Sequence, residues 1–264
     1  MARVLITGCS SGFGRATAVE LKRRGHEVVA TARRPETLAD LDVDVRLTLD
    51  VTDDASVAAA VAAAGDVDVL VNNAGIGIGG PVELVPLDEV RRMFETNFFG
   101  ALRMMQAVLP AMRARRSGTV VNLSSVSGKV AAPLSGFYAA SKFALEAVSE
   151  ALHVEAAHFG IRVVVIEPGY FTTNLADAHV DYGIDGPPYD ELERATVQIE
   201  QRLGRDQAPG PEVVALAIAD AVQSPPEAFR VPVGTDAEMV LGARASMDDV
   251  TFERTMREVL GLDW

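Results

Sequence analysis

Short runs of Val, Ile and Leu alternate with longer amphipathic segments along most of this chain, and that alternation constrains the fold more than any other feature. Val4-Leu5-Ile6 reads as a buried strand, followed by a glycine-rich turn and a helix to about Lys22 that Gly25 ends. Strands are predicted at Val28–Thr31, Val45–Leu49, Val67–Val71, Thr119–Leu123, Ile161–Ile166 and Phe229–Val233. Helices are predicted between them: Asp53–Ala64 with Asp53 as its cap, Leu87–Arg113, Tyr138–His158 and Pro211–Val222, then a polar helical tail to Trp264. Nearly continuous Val/Ile/Leu strands alternating with helices indicate a parallel sheet covered on both faces. The expected class is therefore α/β, a single doubly wound domain over residues 1–264 with about seven strands, binding ligands at the strands' carboxyl ends.

Composition narrows the partners. Acidic side chains number 37 against 24 basic ones, a formal charge of −13, so phosphate backbones are repelled over most of the surface and nucleic acid is excluded as an expected partner. The one cysteine, Cys9, leaves no internal disulfide and suits a reducing compartment, with a small loop filler its expected role. No stretch approaches the roughly 18 apolar residues of a membrane span, and no targeting segment is evident, so a cytoplasmic location is expected. His26, His153, His158 and His179 lack metal-ligand spacing, and no metal site is expected.

Two constellations carry chemistry. The first is Thr7-Gly8-Cys9-Ser10-Ser11-Gly12-Phe13-Gly14, between the first strand and the first helix. Glycines let the backbone turn tightly and approach a pyrophosphate, while the helix start offers unpaired N–H groups; Ser10 and Ser11 add hydroxyls. A plain strand-to-helix turn is the alternative, and the position directly after a strand favours the dinucleotide. At the tip of the second strand, Thr31-Ala32-Arg33-Arg34 has no acid to bind an adenosine ribose, whereas Arg33, helped by Arg34, suits a 2′-phosphate. NADP(H) is therefore favoured over NAD(H). Asp50 could take the adenine amino group or cap a helix, and Asn73, Ala74 and Gly75 place small groups and an amide beside the cofactor.

The second constellation is Ser125, Tyr138 and Lys142. Tyr138 and Lys142 are four apart on one helix face, so the ammonium is expected to lower the phenol pKa toward the working range. Ser125, at the end of the fifth strand, can hydrogen-bond a substrate oxygen as charge develops on it, or merely cap the strand end.

Together these pieces resemble the short-chain dehydrogenase/reductase superfamily, in its branch with a TGxxxGxG loop and a YxxxK pair. The matches are TGCSSGFG from Thr7, the Asp50-Val51 pair, the Asn72-Asn73-Ala74-Gly75 run, Asn97, Ser125 with Tyr138 and Lys142, and Pro168-Gly169 with Thr173. The resemblance implies a Rossmann fold and a set of roles. Tyr138 would be the general acid in reduction and the base in oxidation. Lys142 would lower the tyrosine's pKa and bind the nicotinamide ribose. Ser125 would hold the substrate oxygen, and Asn97 a water in a proton relay. Pro168, Gly169, Phe171 and Thr173 would lie at the nicotinamide end. The glycine loop and strand tip look most similar to NADP(H)-preferring carbonyl reductases and hydroxysteroid or retinol dehydrogenases. Enoyl reductases space the tyrosine and lysine more widely, and sugar-nucleotide epimerases space the glycines differently. A homodimer or homotetramer on the helices near 87–113 and 138–158 is implied as well.

From about residue 170 to 210 periodicity weakens and glycines and prolines cluster, as in a lid over a substrate. Its apolar and aromatic side chains, Tyr170, Phe171, Leu175, Tyr182, Ile184 and Tyr189, suit a hydrophobic ketone, aldehyde or secondary alcohol, or they simply pack the loop. The competing class of function is a dinucleotide-binding sensor without turnover. The chemically competent residue at every catalytic position argues against it.

Overall fold

A computed structural model of the chain describes residues 1–173, 180–182, 187–202, 208–224 and 228–262. Seven strands form one sheet: β1 (Arg3–Ile6), β2 (Glu27–Ala32), β3 (Val45–Thr48), β4 (Val69–Asn72), β6 (Gly118–Leu123), β7 (Ile161–Pro168) and β9 (Arg230–Val233). All are parallel, in the order β3-β2-β1-β4-β6-β7-β9. Residues 78–79 (β5) and 180–181 (β8) make a separate parallel pair. Strand order reverses between β1 and β4, and the crevice at such a switch point receives ligands in folds of this kind.

The five central strands each feed both faces of the sheet, as period-two side chains do. Val4 and Ile6 join Val28, Ala30, Val71, Val121 and Ile166 beneath α1 (Gly12–Arg23) and the helix Glu212–Gln223. Leu5 joins Val29, Leu70, Val120 and Val163 on the other face, under Met104, Met105 and Val108 of the helix Ala101–Arg115 and Ala156 of the helix Gly136–Ala157. These two cores are why the strands read as unbroken apolar runs. Asp53 does cap its helix, accepting from the Ala55 N–H at 2.9 Å.

Two expectations need correction. The helix predicted over 87–113 is two helices, α3 (Leu87–Phe94) and α4 (Ala101–Arg115), joined by a π-helical turn at Glu95–Gly100. Gly100 lies against Val51, whose Cγ2 would stand 2.7 Å from an added Cβ, so the turn packs where no larger residue fits. The lid region is also not wholly irregular: it holds β8 and a 13-residue helix, α6 (Asp190–Arg202), whose first turn carries Asp190, Glu191 and Glu193, acids that complement the helix dipole. The polar tail is two helices, Thr235–Ser246 and Asp249–Leu260. Leu175, Ile184, His179 and Trp264 lie outside the described residues.

Candidate active site

The glycine loop follows β1 into α1. Gly8 and Gly12 hold φ of +73° and +56°, in the left-handed region that favours glycine. Gly14 is excluded from bearing a side chain: a Cβ there would lie 2.4 Å from the Gly8 carbonyl and from Asn73 Nδ2. Ser11 is the N-cap of α1 but makes no side-chain cap bond, and Ser10 is exposed. The first N–H groups of α1 thus have no side-chain acceptor at the cap, the arrangement an anion-binding helix start requires. Thr7 ties this loop to the end of β4. Its Oγ1 accepts from the N–H groups of Asn73 and Ala74, both at 2.9 Å, and Asn73 Nδ2 donates back to the carbonyls of Thr7 (2.8 Å) and Gly8 (3.0 Å). Asn73 thereby fixes the cradle.

Arg33 and Arg34 are exposed beyond the tip of β2. Asp50 is not the helix cap, since Asp53 has that role; it accepts from the N–H and hydroxyl of Thr52 at 2.9 and 2.7 Å. Burial pushes the Asp50 carboxyl up, but the Thr52 bonds and the nearby Arg33 charge hold it below its usual value. Val51 is buried under the π-turn. Cys9 is fully buried, its thiol pushed up to about 12 by burial, and serves as loop filler.

From Pro168, the last residue of β7, the chain continues through Gly169 into Phe171 and Thr173. Gly169 donates to the Val233 carbonyl at 2.9 Å, and Tyr170 N–H to Asp236 Oδ2 at 2.7 Å. Phe171 is buried and meets Phe13 edge to face with centroids 5.7 Å apart, while a Cβ on Gly12 would come within 3.6 Å of Thr173. The phosphate loop and the segment after β7 therefore pack on each other.

Tyr138 and Lys142 lie on α5 (Gly136–Ala157), and Ser125 at the end of β6, where its Oγ also caps the short 3-10 turn Val126–Gly128 through Ser127 N–H at 3.1 Å. Lys142 is 5% exposed, its Nζ donating to the Leu123 carbonyl at 2.8 Å and standing 5.8 Å from the Tyr138 ring centre. Burial pushes the Tyr138 phenol up to about 12, with a hydrogen bond to Ser125 drawing it partly back. Burial pulls Lys142 down to about 8, with Glu146 opposing. The expected direction for Tyr138 is thus reversed: desolvation raises the phenol, and the Ser125 hydrogen bond offsets it only in part.

Asn97 is buried in the π-turn, and π-turns inside helices frequently mark functional sites. Its Oδ1 accepts from Ile76 N–H at 2.8 Å, and its Nδ2 donates to the Ile76 carbonyl and to Ser141 Oγ at 3.0 and 3.2 Å. Ser141 in turn donates to the Tyr138 carbonyl at 2.7 Å. A second buried chain, Asn72 to Asn122 to Ser149 (2.9 and 2.8 Å), sets the rotation of α5 that turns Tyr138 and Lys142 toward the sheet's carboxyl edge. Ser141, Asn122, Ser149 and Asp236 were not singled out from the sequence. Their polar side chains at strand ends and on a buried helix face were the available signal.

Fold and site define an oxidoreductase with a dinucleotide cradle and a half-buried tyrosine beside a buried lysine. Residues 2–181 match the family described as short chain dehydrogenase, and the chain belongs to that family. It is 47% identical over 179 residues to a 3-ketodihydrosphingosine reductase of Bacteroides thetaiotaomicron, covering 66% of this chain and 65% of that one. To retinol dehydrogenase 8 of Bos taurus it is 45% identical, covering 65% of this chain and 60% of the relative. The oxidoreductase YusZ of Bacillus subtilis is 33% identical with 97% of both chains covered. A short-chain dehydrogenase from Streptomyces avermitilis superposes with a TM-score of 0.85 at 39% identity, covering 98% of this chain and 97% of that one. One from Burkholderia cenocepacia in complex with NADP gives 0.79 at 26%, covering 96% of each. The chain is accordingly a dehydrogenase/reductase acting on CH–OH or C=O groups, in a family whose solved members bind NAD(P). Among the described residues no helix is long and apolar enough to cross a membrane.

Proposed function

We propose that this protein reduces a hydrophobic ketone or aldehyde, or oxidises the corresponding secondary alcohol, with NADP(H) in preference to NAD(H). The observation that carries the reading is the convergence of Ser125, Tyr138 and Lys142 at the carboxyl end of β6, beside the Asn73–Thr7 cradle. The cradle fits a dinucleotide: Gly14 leaves no room for a Cβ, Gly8 turns at a φ of +73°, and the start of α1 has no side-chain cap. Gly8, Ser10, Ser11, Gly12, Phe13 and Gly14 would hold the pyrophosphate, Arg33 the 2′-phosphate, Asp50 and Val51 the adenine, and Asn73, Ala74 and Gly75 the adjoining ribose. Pro168, Gly169, Phe171 and Thr173 would line the nicotinamide side. When bound, the nicotinamide supplies or accepts the hydride.

Tyr138 donates its proton to the carbonyl oxygen as negative charge develops there. Neutral and pushed up by burial, the phenol holds that proton across the physiological range. Ser125 shares the same oxygen and stabilises the developing charge. Lys142 supplies the positive charge that lets a phenolate form in passing, and Asn97, through Ser141 and Ile76, fixes where α5 presents both groups. The apolar preference rests on Tyr182, which packs with Tyr138 and Ile78 in one apolar cluster, and on the family relatives named for lipid-like substrates. Residues 170–210 act as a substrate lid within one catalytic domain, and exposed Phe143 and Val154 on α5 suit a homo-oligomeric contact. The test is cofactor oxidation, followed at its absorbance, with NADPH and NADH against long-chain ketones, steroids, retinals and polar ketones. Turnover restricted to polar substrates overturns the apolar assignment.

A further inference from the structure

Behind Lys142, on the side away from Tyr138, lies a group of polar side chains that the reaction above does not use. Glu146 stands one helical turn after Lys142 and is 3% exposed; Glu167, on β7, is 2% exposed. Arg230 of β9 bridges them, its Nε 2.9 Å from Glu146 Oε2 and 3.8 Å from Glu167 Oε1, while its Nη2 pairs with the more exposed Glu150. Lys129, after the 3-10 turn, adds a more distant positive charge. Glu146 Oε1, Glu167 Oε1 and Ser124 Oγ are buried and have no hydrogen-bond partner among the described residues. Ser124 and Glu146 converge on Gly128, where an added Cβ would lie 2.6 Å from Ser124 Oγ and 2.8 Å from Glu146 Cγ, and Glu167 joins them through Arg230. Ser124 adjoins both Leu123, whose carbonyl receives Lys142 Nζ, and Ser125.

One guanidinium facing three carboxyls, two of them buried, leaves the buried pair with more negative charge than it can hold. A proton held by Glu167 relieves that excess, and burial followed by the Glu146 charge does raise its carboxyl, to about 7. Glu146 is the carboxylate that Arg230 Nε pairs with directly, at 2.9 Å, whereas Glu167 lies 3.8 Å from it. Lys142 has lost most of its hydration, and its Nζ donates to the Leu123 carbonyl in place of water. An anion one turn away on the same helix face is then what favours its ammonium.

We propose that Glu146 is a positioning residue for the reaction: its carboxylate keeps Lys142 charged, and Glu167 carries the proton that allows two carboxyls to share the space behind it. The inference rests on the functional reading above, but its first test does not require turnover. The chain has three lysines, Lys22, Lys129 and Lys142. Selective 13Cε-lysine labelling therefore gives a resolvable titration, with the Lys142 signal identified by Lys142→Arg. In Glu146→Gln the Lys142 midpoint falls by about 1 pH unit or more, the size expected for removing a nearby opposite charge. Glu167→Gln moves it less, and Glu146→Asp restores part of the shift. The alkaline limb of kcat for carbonyl reduction moves down in Glu146→Gln with the midpoint. An unchanged Lys142 midpoint in a folded Glu146→Gln overturns the proposal, as does an equal shift in Glu167→Gln. A shifted midpoint with an unmoved limb overturns the link to catalysis. Wild-type protein that titrates as described but turns over no carbonyl with either cofactor defeats the functional reading instead.

Discussion

Asn97 Nδ2 donates to Ser141 Oγ across 3.2 Å, and so joins the π-turn between α3 and α4 to the helix that carries Tyr138 and Lys142. The same amide holds both backbone groups of Ile76, so one buried side chain sets the spacing between the end of β4 and α5. Replacing Asn97 with Ala leaves the half-buried Ile76 N–H without its acceptor and the buried Ser141 Oγ without its donor, at a cost of about 1–3 kcal/mol for a buried unmet group. Asn97→Ala is expected to lower kcat by about tenfold or more, since each 1.4 kcal/mol of lost transition-state stabilisation is a factor of ten. Steady-state kinetics and thermal unfolding check this. Unchanged kcat in a folded variant would show that the π-turn does not position the catalytic helix.

Arg33 stands exposed beyond β2, where no acidic residue follows the strand. Arg33→Ala is expected to weaken NADPH binding by about ten- to a hundredfold, the scale of a charged hydrogen bond. NADH affinity should change little. Calorimetric titration with both cofactors measures the difference, and equal losses for the two would remove Arg33 from the 2′-phosphate site.

Gly14→Ala places a methyl 2.4 Å from Gly8 O and Asn73 Nδ2, in backbone and side chain that are already hydrogen-bonded. Overpacking of this kind costs about 1–3 kcal/mol. The expected result is a Tm lower by several degrees, at roughly 2–4 °C per kcal/mol for a chain of this size, together with weakened cofactor binding. Differential scanning calorimetry with and without NADPH tests both effects.

Glu167 gives a pH signature. Its carboxyl rises from 4.5 to about 7 in the folded protein, so between those values the native state binds more protons than the unfolded one. Stability therefore falls as pH rises through that window and levels off above it. Glu167→Gln removes this fall, so its Tm relative to wild type should be higher at pH 8 than at pH 5. A constant difference between the two pH values would mean that Glu167 titrates normally.

Much of this site was legible because its chemistry depends on residue types that few other arrangements use. The TGCSSGFG loop, Arg33, Ser125, Tyr138 and Lys142 lie at strand ends or on one helix face, and strand ends meet in a doubly wound sheet. What escaped the sequence is what only packing decides. The π-turn at Glu95–Gly100 is set by Gly100 against Val51 and by the reach of Asn97 to Ile76, contacts between distant segments. The upward direction of the Tyr138 phenol is set by burial, which spacing to Lys142 cannot convey. The helix Asp190–Arg202 was obscured by the glycines and prolines before it, although its acidic first turn was a signal for its start. The buried Glu146–Glu167 pair joins residues 21 apart that read separately as a helix-face acid and a strand-end acid.

Hydride transfer with Tyr138 as proton donor is the central claim, and Tyr138→Phe tests it most directly. With a carbonyl substrate that the wild-type protein reduces, the variant is predicted to lose turnover by about 100-fold or more, the contribution of positioned proton transfer. Its NADPH dissociation constant should remain near that of the wild type. Turnover at wild-type rate in a variant that binds NADPH normally would contradict the assignment.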